Sequence, residues 1–240
     1  MRPGRTVIGH LRSALTFALF VAFAAGGVVL SLLALAFSGN RRIGQGAVRG
    51  AWRLLVAVIR LTGLISVDVS ALKKVRGRII VANHPSLIDV VLLTAFMPDV
   101  YSIAKNELKR NPFFGAVVRN IMLANDGQIL DRARKILAGG GNVLIFPEGT
   151  RTPLDGARLK LHRGAAQLAI RLGVPISPVR IELSRRILAK HQSILDMGDS
   201  TVVFRLISGD DIAPPPYSEV NNRTGAIAMT EAIAKAINLI

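Results

Sequence analysis

His84 and Asp89 stand five residues apart in Val81-Ala82-Asn83-His84-Pro85-Ser86-Leu87-Ile88-Asp89, where one apolar run ends and another begins. A carboxylate on one imidazole nitrogen fixes the tautomer and leaves the other nitrogen free to take a proton, which makes a general base. The bland alternative is a histidine that caps a helix beside an unrelated aspartate. A second cluster is Phe146-Pro147-Glu148-Gly149-Thr150-Arg151. A glycine at a strand exit lets backbone N–H groups approach an anion. Thr150 adds a hydroxyl donor, and Arg151 adds a planar fork that matches phosphate with two hydrogen bonds. Read alone, this second cluster is also compatible with an ordinary Pro-x-Gly turn.

Both clusters sit where strands give way to loops. Ile79 to Ala82 reads as a buried strand, and Ser86 to Phe96 as the helix after it, with Asn83 and Ser86 as cap-type residues and Pro85 in an early position. This predicts His84 at the carboxyl end of a strand and Asp89 about one turn into a helix. Such strand-to-helix switches are where open α/β sheets place their ligands. Further strands are expected at Ile65–Val69, Val100–Ala104, Val143–Phe146, Pro175–Ile181 and Thr201–Ile207. Helices are expected at Gln128–Leu137, stopped by Gly139-Gly140-Gly141, at Arg163–Leu172, stopped by Gly173, and at Thr224–Ile237. Strands alternating with helices predict an α/β fold, a mostly parallel sheet flanked by helices.

Composition narrows the chemistry. Among 240 residues there is no cysteine, which excludes disulfides, thiolate nucleophiles and cysteine zinc sites. His10, His84, His162 and His191 are too scattered to suggest a metal cluster, and no metal or cofactor is expected. The net charge is +16, from 31 Lys and Arg against 15 Asp and Glu, while half of the residues are hydrophobic. Basic and apolar together point to an anionic membrane surface. Nucleic-acid binding is not expected, because aromatic residues to interleave with the basic ones make up only 5%.

The first 64 residues form a separate region in this reading, a membrane anchor ahead of an α/β domain at 65–240. No charge lies between Arg12 and Arg41, and the apolar core Ala14–Phe37 exceeds the roughly 20 helical residues that cross a bilayer. A cleaved signal peptide is the rival reading, against which the run is long and ends in Arg41-Arg42. Residues 14–37 either span the membrane or re-enter it as a hairpin that keeps both basic flanks on one side. Along Ile43–Leu64 and the residue before it, Arg42, Arg49, Arg53 and Arg60 fall within about a 40° arc of one helix. That stripe on a mostly apolar helix suits the membrane interface, with guanidinium groups at lipid phosphates and Trp52 at headgroup depth. A second tilted span, or a core helix with a solvated stripe, is the alternative. The expected location is a bacterial-type inner membrane, with the α/β domain on its cytoplasmic face.

Asn83-His84-x4-Asp89 and Phe146-Pro-Glu-Gly-Thr-Arg151, about sixty residues apart, resemble the signature pair of the glycerolipid acyltransferases, whose best-known members are 1-acylglycerol-3-phosphate (lysophosphatidic acid) O-acyltransferases. Two more blocks resemble the family in the same order, Lys105-x-Glu107-Leu108-x3-Pro112-x2-Gly115 and Val174-Pro175-Ile176-Ser177-Pro178-Val179. The likeness runs from Arg78 to Ile181. It implies that His84, oriented by Asp89, removes a proton from a lysolipid hydroxyl. That oxygen then attacks the thioester of acyl-CoA or acyl-carrier protein with no acyl-enzyme. It implies that Glu148, Gly149, Thr150 and Arg151 hold the acceptor, with Arg151 on its phosphate and Lys105 adding charge. The implied partners are acyl donor, lysolipid and membrane lipids, and the leading acceptor is 1-acylglycerol-3-phosphate. Two departures concern the phosphate end. The family often has Phe-Lys-x-Gly where this chain has Leu161-His162-Arg163-Gly164, and Leu123–Asp131 lacks the family's basic residue unless Arg132 replaces it. A related O-acyltransferase for another acceptor, such as a lyso-ornithine lipid or a polyketide-type glycolipid, is the alternative.

Overall fold

The computed structural model describes residues 41–104, 122–125, 127–153, 160–193, 196, 200–217 and 222–237, with scattered positions between 7 and 22. Helix α1 (Arg41–Leu61) precedes strand β1 (Ile65–Asp68). Then come β2 (Ile79–Ala82), α2 (Asp89–Phe96), β3 (Val100–Ala104), β4 (Met122–Ala124) and α3 (Ile129–Ala138). The chain continues through β5 (Asn142–Ile145), α4 (Gly164–Leu172), β6 (Ile176–Leu183), β7 (Val202–Ser208) and α5 (Asn222–Ala236). The strands form one seven-stranded sheet ordered β1-β7-β6-β2-β5-β3-β4. Every pairing is parallel except β6 with β7. The fold is therefore α/β, with a mostly parallel sheet between two helical layers.

β2 lies at the centre of the sheet, and all four of its residues are buried. Its side chains alternate between faces, as the strand period of two requires. Ile80 and Ala82 join the layer built by Leu55, Val56 and Ile59 of α1 and Leu92 and Leu93 of α2. Ile79 and Val81 join the opposite layer, with Ala133 of α3, Ala166 and Ala169 of α4, and Met229 and Ile233 of α5. A strand covered on both sides reads as an unbroken apolar run, which is why Ile79–Ala82 was legible.

The crossovers from the two central strands go opposite ways. From β2 the chain passes through α2 to β3, beyond β5 in the sheet. From β5 it passes through α4 to β6, on the other side of β2. The helices lie on opposite faces, so a crevice opens between the carboxyl ends of β2 and β5.

Three local expectations need correction. α2 begins at Asp89 rather than Ser86, so Asp89 is its first residue and not a turn inside it. Residues 84–88 are held off the helix by tertiary bonds, among them Leu87 N–H to the Leu188 carbonyl at 3.1 Å. Neither Asn83 nor Ser86 caps the helix; its N-cap is Ile88, with no side-chain cap. β4, three residues at the sheet edge, was not expected. Trp52 is half-buried and packs with Val48 and the α1–α2 layer. No helix among the described residues is long and apolar enough to cross a membrane. Most of the apolar stretch Ala14–Phe37 lies outside the described residues.

Candidate active site

His84 sits two residues past the end of β2, on the lip of the crevice. Asn83 fixes the strand exit: its amide Nδ2 donates to the Ile181 carbonyl at 2.8 Å, and its Oδ1 accepts from the Ile181 N–H at 2.7 Å. An asparagine side chain thereby replaces one backbone rung between β2 and β6, which a helix-capping role for Asn83 did not anticipate.

The His84 Nδ1 lies 2.9 Å from Asp89 Oδ2. The same oxygen accepts from the Ser86 N–H at 2.7 Å. An oxygen that accepts from an amide N–H is an acceptor for the imidazole as well, so Nδ1 carries the hydrogen and Nε2 presents its lone pair. Asp89 is fully buried, while the His84 side chain keeps 15% of its surface. Burial raises the Asp89 pKa, against the neighbouring imidazole and the Ser86 N–H, which lower it. The spacing in sequence thus does bring histidine and aspartate together, across a tight bend rather than a helical turn.

The segment after β5 wraps around this pair. Phe146 stacks on the His84 ring, with centroids 4.2 Å apart and planes 23° from parallel. Gly149 adopts a left-handed φ of +66°, and a Cβ there would lie 2.9 Å from the His162 ring. The turn therefore requires glycine both for its backbone and for the close approach of His162. His162 is held beside it by its own N–H donating to the Pro147 carbonyl at 2.8 Å.

The residues expected to hold an acceptor separate into three groups. Gly149 is exposed and Thr150 half-buried, both on the turn that follows β5. Arg151 Nη1 donates to the carbonyls of Leu188 at 2.9 Å and Ala189 at 3.2 Å, so one arm of the fork braces the segment after β6. Glu148 is buried, with one oxygen on the His84 N–H and the other on the Thr152 hydroxyl, each at 2.7 Å. Lys105 lies outside the described residues, and Arg132 occupies the first turn of α3. Sequence reasoning missed Thr152 and Leu188. The first shows only as a hydroxyl four residues past Glu148. The second carries no signal, since it acts through its carbonyl in a left-handed conformation of φ 53°. Among the described residues there is no group of three or more metal-ligating side chains.

Residues 65–182 match the family model described as Acyltransferase. The chain is 30% identical over 138 residues to the 1-acyl-sn-glycerol-3-phosphate acyltransferase of Pseudomonas aeruginosa, covering 53% of each. It is 29% identical over 157 residues to the protein of the same name in Helicobacter pylori, covering 61% of this chain and 66% of that one. The chain spans about half the length of the curated relatives it matches first. The crystal structure of the 1-acyl-sn-glycerophosphate (LPA) acyltransferase PlsC from Thermotoga maritima shares the fold, with a TM-score of 0.71 over 96% of both chains at 21% identity.

Proposed function

The chain belongs to the acyltransferase family, and from that premise we propose that it moves a fatty acyl group from an acyl thioester to a lysolipid hydroxyl, with 1-acylglycerol-3-phosphate as acceptor and phosphatidic acid as product. The observation that carries this reading is the His84–Asp89 pair at the carboxyl end of the central strand, with Nε2 left as the basic nitrogen. A lipid hydroxyl is a poor nucleophile near neutral pH, and a positioned base contributes roughly 10²–10⁴-fold.

In this mechanism His84 Nε2 takes the hydroxyl proton as the oxygen attacks the thioester carbonyl. The tetrahedral intermediate collapses with cleavage of the carbon–sulfur bond. The proton passes from the imidazolium to the departing thiolate of coenzyme A or of acyl-carrier protein. The ester oxygen of the product comes from the acceptor, and the enzyme ends as it began. Asp89 holds the imidazole in the useful tautomer throughout. Gly149 and Thr150 face the acceptor, Arg151 turns the free arm of its guanidinium to the phosphate, and Lys105 adds charge. The acceptor and product are both lipids, which supports work at a membrane surface, and we place the α/β domain on its cytoplasmic side as part of this proposal.

A panel of lysolipids incubated with labelled acyl-CoA or acyl-carrier protein tests the reading, using membranes that contain the wild-type chain or His84→Ala. Transfer to 1-acylglycerol-3-phosphate, lost in His84→Ala while the variant stays folded and membrane-bound, is expected. Transfer only to another lysolipid moves the reading to a different acceptor, the direction in which Leu161-His162-Arg163-Gly164 departs from the family pattern. Full transfer by His84→Ala removes His84 as the base.

A further inference from the structure

Glu148 is 3% exposed, and both of its carboxylate oxygens already have partners. Oε1 accepts from the backbone N–H of His84 and Oε2 from Thr152 Oγ1. Thr152 closes the circuit, because its own N–H donates to the His84 carbonyl at 2.8 Å. The peptide that carries the base is thus gripped at both ends by the loop leaving β5, and Phe146 at the start of that loop covers the ring. Hydrogen bonds from backbone N–H to a carboxylate are charge-assisted and about twice as strong as neutral ones. A buried carboxylate would also repel the phosphate that an anionic acceptor brings into the crevice.

We infer that Glu148 is a positioning residue for His84, acting through the His84 peptide with Thr152 as its anchor, and is not a ligand of the acceptor. The inference rests on the acyl-transfer reading, in which His84 is the base. It gives the Glu-Gly-Thr-Arg-Thr segment two separable jobs. Glu148 and Thr152 face inward and set the base, while Gly149, Thr150 and the outer arm of Arg151 face the acceptor. Holding a base within a fraction of an ångström of its productive place is worth a large part of the rate, and a displacement of about 1 Å costs on the order of 10²-fold.

Three variants test this by the split between kcat and acceptor KM, measured on a lysolipid that the wild type acylates. In Glu148→Gln the amide oxygen still accepts from the His84 N–H. The amide nitrogen donates to Thr152 Oγ1, whose hydroxyl turns round. The expected kcat is within about tenfold of wild type, since only the charge assistance is lost. Glu148→Ala removes both bonds and is expected to lower kcat about 10²-fold. Thr152→Val, nearly isosteric, frees the carboxylate and is expected to lower kcat about five- to tenfold. In all three the acceptor KM stays within about twofold, as expected when the lost interaction does not touch the acceptor. A raised acceptor KM with kcat retained in both Glu148 variants overturns the inference, and so does a Glu148→Gln variant as inactive as Glu148→Ala. Should Glu148→Ala fail to fold, Thr152→Val at wild-type kcat overturns it equally. Exchange of the His84 amide hydrogen gives a readout independent of turnover: slow in wild type and Glu148→Gln, fast in a folded Glu148→Ala. If the wild type acylates no lysolipid, the acyl-transfer reading fails, and rapid exchange of that amide in wild type separately removes the grip.

Discussion

At the scale of single residues, the candidate site trades stability for chemistry, and Asp89 is where the trade can be measured. Its carboxylate is fully buried, and burial raises its pKa despite the imidazole beside it. A carboxyl whose pKa rises on folding holds its proton more tightly in the folded state. Stability is therefore present below the ordinary carboxylate range and is lost as pH climbs through the raised value. Asp89→Asn removes that charge. One oxygen, Oδ2, serves both the Ser86 N–H and His84 Nδ1, so an asparagine that keeps its oxygen there keeps both bonds and puts its NH₂ in the place of Oδ1, which has no partner. What is lost is the negative charge that stabilises the imidazolium formed when Nε2 takes the proton. The expected result is a Tm at pH 7 equal to or above wild type, together with transfer lowered by about 10²–10⁴-fold. Thermal scans and turnover on the same preparation check both halves. Wild-type transfer by the asparagine variant excludes Asp89 from the dyad. That His84 and Asp89 belong together was legible in the sequence, because five residues and a proline cannot carry the chain far. That Glu148 grips the His84 peptide was not, since the partner is a backbone amide 64 residues away whose address exists only in the fold.

At the scale of elements, the site depends on a strand exit and a turn meeting across the crevice. Strands β2 and β5 were legible because both are buried on two faces, which forces continuous apolar runs. β4 was not, because three residues at a sheet edge carry too little pattern to separate from a loop. The start of α2 was misplaced for a different reason: local cap-type residues outvoted tertiary bonds that hold residues 84–88 in a bend. The turn after β5 offers a quantitative test. Gly149→Ala meets two costs, a left-handed φ of +66° and a Cβ 2.9 Å from the His162 ring. The backbone cost alone is about 1 kcal/mol, and the clash adds to it. Pairing Gly149→Ala with His162→Ala opens the space and leaves only the backbone cost. Denaturant midpoints of the two single variants and the double variant are expected to show a partial recovery. Strict additivity would place His162 away from the turn.

At the scale of the whole molecule, the sheet separates two helical layers, and α1 in one of them carries an exposed apolar line beside an arginine stripe. On α1 the buried face is formed by Val48, Leu55, Val56 and Ile59, while Ile43, Leu54 and Leu61 are exposed at 56%, 59% and 88%. At 100° per residue those three exposed side chains lie within about 20° of one another, a single apolar line along the helix. The arginine stripe runs between that line and the buried face, and Arg53 donates to the Ala95 carbonyl at 2.8 Å, which ties the stripe to α2. Apolar side chains beside guanidinium groups suit the headgroup boundary, where each arginine contributes about 1 kcal/mol at an anionic surface. This predicts an orientation with the α1–α2 layer on the leaflet and the α4–α5 layer towards water. The absence of cysteine makes this testable without background labelling. A single cysteine at Leu54 carries an environment-sensitive fluorophore in one preparation, and one at Lys235, exposed on α5, carries it in another. On vesicles containing anionic and brominated lipids, the label at position 54 is expected to shift to the blue and be quenched, while the label at 235 stays bright. Equal brightness at both positions, with the chain bound to the vesicles, would mean that attachment runs through the apolar stretch Ala14–Phe37 alone and that α1 serves the fold rather than the membrane.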